Sequence, residues 1–385
     1  MAEHTLTDLA ADIYIAAQMV GRELVGMIPA VTMNSGADAA AKDDTIRAAF
    51  APAVAPSTLT PAMTIPEGTG QTVANKTMTL DTMETVEIPW TGELVKSVDN
   101  GAGFAFVQGN MIAQAMRAHV NAIEADLVAT ARAAACRAFG TAATTPFGTA
   151  NDYTAASNAL KILKDNGAGK FDNQLVINTA SGANLLGKQS AVNAAGTESL
   201  LRQGVLLDMA GMPVRESGQL GSHTAGTAAS ATTDNAGYAV GATTLTLAVA
   251  GTGTILAGDV LTFAGDTNPY VVVTGDADVS GGGTIVLQEP GLRVAMSAAT
   301  KAITMIATHS DNLCFARSAI ELAMRAPADP MGGDAAVDSM MVLDPHSGLS
   351  FGISVYKGRK KAMIAVDALY GDKAWETANI ALLLG

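Results

Sequence analysis

The chain has 385 residues, of which 49% are hydrophobic, 15% charged and 4% aromatic. That length suggests two or three domains, and so much hydrophobic residue argues against a disordered chain. A net charge of −13 argues against electrostatic capture of nucleic acid, which needs a basic face to neutralise phosphates.

Residues 5–28 predict a helix, because Leu6, Leu9, Ile13, Ala16, Ala17, Val20 and Leu24 recur at spacings of three and four. Residues 29–70 carry Pro29, Pro52, Pro56, Pro61 and Pro66 in Ala- and Thr-rich sequence and predict an extended arm. Residues 72–98 alternate, with Met78, Leu80, Val86, Ile88 and Trp90 on one parity, which predicts a half-buried strand or a long hairpin. A turn at Asn100-Gly101-Ala102-Gly103 leads into a proline-free helix over 104–139 with the stripe Ile112, Met116, Val120, Ile123 and Leu127. Unbroken, it would span roughly 50 Å; the alternative is two helices parted near Gly109 or Ala131.

Residues 152–220 predict mixed α/β structure: a helix capped by Asp152 and ended by Asn166-Gly167, a buried strand at 174–178, a helix at 181–189 and a turn into a strand over 206–216. Over 222–306 helical periodicity vanishes. Short strands at 243–248, 260–264, 270–274, 284–288 and 302–306, parted by Gly-rich turns, predict a small inserted β-barrel or sandwich. Residues 309–326 predict a strand and then a helical or loop passage, and 327–345 a loop. Two strands around the basic turn Lys357–Lys361 and a final strand at 374–384 complete the chain.

No catalytic constellation emerges. Gly167-Ala168-Gly169-Lys170 lacks the upstream glycine of a phosphate loop and has Phe171 where a magnesium-binding hydroxyl belongs. His4, His119, His223, His309 and His346 have no second ligand at metal spacing. Cys136 and Cys314 form no CxxC pair and sit in apolar sequence, as core fillers do. Asp329, Asp334 and Asp338 do not match a calcium loop. The expectation is no catalytic, cofactor-binding or metal site. The N-terminus does not read as a signal peptide, and no stretch approaches the ~18 uninterrupted apolar residues of a membrane span, so a soluble protein made in a reducing compartment is expected. The low charge content suits a subunit that hides its surface against copies of itself, and fits an Ala-rich proteome equally well.

The order of elements resembles the tailed-bacteriophage major capsid proteins with the HK-ninety-seven-type fold. Gly211-Met212-Pro213-Val214-Arg215-Glu216-Ser217, His309-Ser310-Asp311-Asn312-Leu313-Cys314-Phe315-Ala316-Arg317, Ser347-Gly348-Leu349-Ser350 and Asp367-Ala368-Leu369-Tyr370-Gly371 resemble the P-twenty-two-type coat protein group. The resemblance implies an α+β fold with an N-terminal arm (1–58), an extended loop (59–100) and a spine helix with peripheral domain (101–150). It further implies an axial domain (151–221 and 307–345) interrupted by a β-barrel (222–306), and C-terminal strands of the peripheral domain (346–385). It implies no enzyme and no cofactor. Copies of the chain would form hexamers and pentamers, close into an icosahedral virion shell by way of a procapsid in the host cytoplasm, and enclose double-stranded DNA without reading its sequence. The partners would be a scaffolding protein and a portal, and no membrane. Val86, Ile88, Trp90, Arg359, Lys360 and Lys361 are the expected subunit-interface residues. A tail or decoration protein, or an α/β enzyme with a β-lid, are the alternatives.

Overall fold

The structure is a computed structural model and describes residues 13–17, 19–21, 23–36, 39–50, 58–61, 63–64, 74–99, 104–149, 152–189, 209–330 and 333–385. Pro52, Pro56, Pro66, the predicted turn at 100–103 and residues 206–208 lie outside them. Of the predicted 5–28 helix, residues 13–17 and 19 are helical, and residues 23–26, including Leu24, are not.

The supposed arm contributes strands. β1 (Thr32–Ser35) and β2 (Thr45–Phe50) precede β3 (Ala74–Thr79) and β4 (Thr82–Thr91). β2 and β3 form an antiparallel two-stranded ribbon, in register from Thr45↔Thr79 to Phe50↔Ala74. The alternation over 72–98 is therefore not a single hairpin. Its first half pairs back with β2, and its second half joins another sheet, because alternation marks a half-buried strand without naming its partner. Its end is not strand at all: α1 (Gly92–Asp99) begins where the Thr91 hydroxyl accepts the Leu94 amide at 3.3 Å.

α2 (Phe104–Ala134) is one unbroken helix of 31 residues, about 46 Å at about 1.5 Å per residue. Ile112, Met116, Val120, Ile123 and Leu127 are buried along its length. It stops short of the expected Phe139 because β5 (Arg137–Gly140) is drawn into a parallel pair with the C-terminal strand. Next come α3 (Thr154–Asp165), where Asp152 accepts the Thr154 amide at 2.8 Å, then β6 (Asn173–Asn178), α4 (Thr179–Gln189) and β7 (Val214–Ser217).

The insertion supplies β8 (Ser222–His223), β9 (Thr244–Leu247), β10 (Val260–Phe263), β11 (Tyr270–Thr274), β12 (Gly283–Leu287) and β13 (Ile303–Met305). β9, β12, β11, β10 and β13 pair in that order. Thr232↔Ala302 and Thr233↔Leu247 bridges close the ring, so the insertion is a small barrel. Leu245, Leu261, Phe263, Tyr270 and Ile285 fill it, and the Tyr270↔Arg137 pairing joins it to the body.

The remaining strands are β14 (His309–Ala316), β15 (Ile320–Arg325), β16 (Asp338–Leu343), β17 (Ser350–Gly358), β18 (Lys361–Ala374) and β19 (Ile380–Leu384). Two of these correct the sequence reading. β15, IELAMR, is rich in helix formers, yet it lies between β1 and β18 and takes their extended geometry. β16 lies in the predicted loop and pairs with β17 throughout. One sheet runs β1-β15-β18-β17-β16 with β4 on β18; the other runs β13-β10-β11-β5-β19-β14-β6-β7. α2 packs on β18 and β4 of the first sheet and reaches β14 and β19 of the second, so its stripe joins the two in one core.

Candidate assembly surface

The predicted interface residues divide. Val86, Ile88 and Trp90 pair in β4 with Val366, Ile364 and Ala362. Ile88 and Trp90 are 4% and 7% exposed within their own chain and pack in the same core as the α2 stripe. Val86 is half-buried against that core. The expectation that Ile88 and Trp90 face a neighbour is thus corrected: α2 already covers the apolar face of β4. The other parity, Met83, Thr85, Glu87 and Pro89, is exposed. Arg359, Lys360 and Lys361 are exposed at the end of the β17–β18 hairpin, where Gly358 pairs with Lys361 around the two-residue turn Arg359-Lys360.

Two carboxylates fix the N-terminal segment onto α2. Glu124 is 1% exposed. Its Oε1 accepts the Gly26 and Met27 amides at 2.7 Å and the Ser217 hydroxyl at 2.7 Å, and its Oε2 accepts the Ile28 amide at 2.9 Å. A side chain at Gly26 would meet the Glu216 carbonyl oxygen at 2.6 Å, so only glycine lets the chain pass there. Glu23 pairs with Arg117 and accepts the Asn121 amide group at 2.8 Å. Hydrogen bonding from Arg117 and then Asn121 lowers its pKa to about 2. Sequence reasoning missed Glu124, although a signal existed: it stands four residues after Val120 and next to Ile123, on the buried stripe.

A second buried cluster sits where the chain enters and leaves the barrel, with His223 paired to His309 between β8 and β14. The His309 ring nitrogens lie 2.8 Å from the Ala307 carbonyl oxygen and 3.2 Å from Asp311. Asp311 also meets Arg132 at 2.6 Å. His223 contacts buried Asp259 at 2.8 Å, and the two imidazoles are 5.6 Å apart. Burial opposes a charge on His309, but the Asp311 and Ala307 hydrogen bonds and the Asp311 charge outweigh it and raise its pKa.

The other candidates resolve simply. Gly167–Lys170 is the turn that ends α3, with the Gly167 amide on the Lys164 carbonyl. Cys136 and Cys314 are buried thiols, and burial pushes Cys314 up to about 12, away from the reactive thiolate. Asp334 accepts the Tyr356 hydroxyl. Among the described residues no group of three or more His, Cys, Asp or Glu is placed to hold a metal, and no helix is long and apolar enough to cross a membrane.

No protein-family profile and no curated protein matches the chain in sequence. In three dimensions it is similar to the capsid structure of the cyanophage P-SCSP1u, at 12% identity and a TM-score of 0.49, over 95% of this chain and 89% of that one. It is similar to the mature capsid of bacteriophage PhiM1 at 12% identity and a TM-score of 0.45, over 94% and 87% of the two chains. It is also similar to a virus-like particle from Pyrococcus furiosus at 9% identity and a TM-score of 0.39, over 99% and 100%.

Proposed function

We propose that the chain is the major capsid protein of a tailed phage, a shell-building subunit and not an enzyme. The observation that carries this reading is the β2–β3 ribbon. Its base is held by Met78 and Leu80 in a small cluster with Leu369 and Trp375. Farther along the connection between its strands, Leu59 and Met63 are almost wholly exposed. A two-stranded ribbon has no core of its own and is marginally stable alone. Apolar side chains exposed in the connection between its strands gain from a surface outside the subunit. The N-terminal helical segment buries Ile13, Ala16 and Ala17 but leaves Tyr14, Ile15 and Met19 exposed, which fits the same reading. The unbroken α2, a beam joining two sheets, favours a shell subunit over a small tail or decoration module.

On this reading copies associate as hexamers and pentamers of a virion shell, assembled with a scaffolding protein and a portal in the host cytoplasm. The negative net charge suits a wall that encloses double-stranded DNA without gripping it. The test is sedimentation and electron microscopy of purified protein, alone and with its scaffold. Rings or closed shells are expected; a compact monomer under every condition overturns the reading.

A further inference from the structure

We propose that the open face of the β4-β18-β17-β16 sheet seats the Arg359–Lys361 hairpin tip of a second copy of this chain. The inference rests on the shell-subunit reading and names one of its contacts. α2 covers one face of this sheet, and the other is a groove of about 820 Å³, walled on one side by residues 326–330. Its floor is set by register: Ser339 pairs with Ser354, Ser354 with Ala365, and Ala365 with Glu87, with Gly352 one row away. Ser339, Gly352, Ser354 and Ala365 are small, and Met341, Tyr356 and Met363 stand beside them, so an incoming turn meets a shallow floor between larger side chains.

The charges of groove and tip are complementary. Glu87, Asp329, Asp334 and Asp367 line the groove, against Lys42 alone among the basic residues. The tip presents Arg359, Lys360 and Lys361, all exposed. Two copies that each carry −13 repel at long range, and a local pairing of opposite sign offsets that repulsion where they meet. A chain cannot fill its own groove with its own tip. Gly358 pairs with Lys361 and Tyr356 with Met363, so the tip continues the ladder in the plane of its own sheet and does not turn back onto its face. Every copy therefore offers one tip and one groove. That is a head-to-tail contact, which closes into rings when the rotation permits.

The test reverses each side separately and then together. Arg359→Glu, Lys360→Glu and Lys361→Glu in one chain should weaken self-association at least about tenfold in low salt, with an unchanged circular dichroism spectrum. Glu87→Lys with Asp329→Lys should do the same. All five changes in one chain should recover part of the lost association, because a negative tip then meets a groove in which the two introduced lysines and Lys42 offset the remaining Asp334 and Asp367. Association of the original protein should also fall as salt rises towards about 1 M, where screening acts within about 3 Å. If the original protein assembles and tip reversal leaves association unchanged, or the combined variant is no better than the single reversals, this contact is wrong and the shell reading stands. If the original protein never associates, both fall.

Discussion

Replacing Glu124 with alanine should detach the N-terminal segment from α2. The change removes the acceptor for three backbone amides, Gly26, Met27 and Ile28, and for the Ser217 hydroxyl. Leaving a buried donor unsatisfied costs about 1–3 kcal/mol each, so four donors set a ceiling of about 12 kcal/mol. Two effects bring the figure down. Water can follow the vacated carboxylate, and the variant no longer bears the cost, present in the wild-type protein, of holding that charge out of solvent. The comparable loss on breaking a buried charged contact is about 3–5 kcal/mol, and that is the expected range here. Glu124→Gln keeps one acceptor oxygen but turns an amide donor towards a backbone N–H, so it should lie between wild type and alanine. The assay is hydrogen exchange of a peptide covering residues 23–31. A local loss of about 3 kcal/mol speeds exchange by about a hundredfold where the segment opens by itself. Unchanged protection of Gly26, Met27 and Ile28 in Glu124→Ala would refute the anchor.

Trp90→Ala should destabilise the isolated subunit by about 3–5 kcal/mol in denaturant titration, because it empties a site in the chain's own core; a variant with unchanged subunit stability and defective association would return Trp90 to the interface. Glu23, whose folded pKa of about 2 lies below its ordinary 4.5, contributes stability present above pH 4.5 and lost as pH falls towards 2, with the part-exposed pair discounted for screening. After correction for intrinsic exchange, protection at residues 23–28 should therefore fall as pH drops across that window, and unchanged protection there would show that the Arg117 pairing does not hold the segment. His309 has a folded pKa raised above 6.5, so its contribution is complete below pH 6.5 and lost as pH rises through the folded value. Amides at 222–226 and 309–311 should lose protection as pH rises above 6.5, after correction for intrinsic exchange, and His309→Gln should abolish that pH dependence.

The fold was legible where a single local pattern dominates. The α2 stripe repeats at helical spacing for several turns, and glycine turns punctuate the barrel strands, so strands at 260–263, 270–274 and 283–287 fall within a residue or two of expectation. It was illegible where a distant partner decides. Ile320–Arg325 is extended because β1 and β18 flank it, and those partners lie far away in sequence. Likewise β3 and β4 alternate as one pattern but serve different sheets. The same limit explains the misplacement of Ile88 and Trp90. Alternation shows that one face of a strand is covered, and it is silent on whether the cover is the chain's own helix or a neighbour.

The basic tip was legible for a different reason, and its chemistry bears on assembly. Residues 357–361 hold four of the chain's 23 lysines and arginines. A two-residue hairpin turn does not need them. It favours Asn or Gly where the backbone turns left-handed, yet here Lys360 occupies that position at φ +56°. The long cationic side chain is thus held at a backbone cost that glycine or asparagine would reduce. Nothing in the ladder itself rewards this, because Gly358 and Lys361 pair through their backbones. On the proposed contact these charges would meet the acidic groove of another copy, in a chain with 36 acidic residues against 23 basic ones.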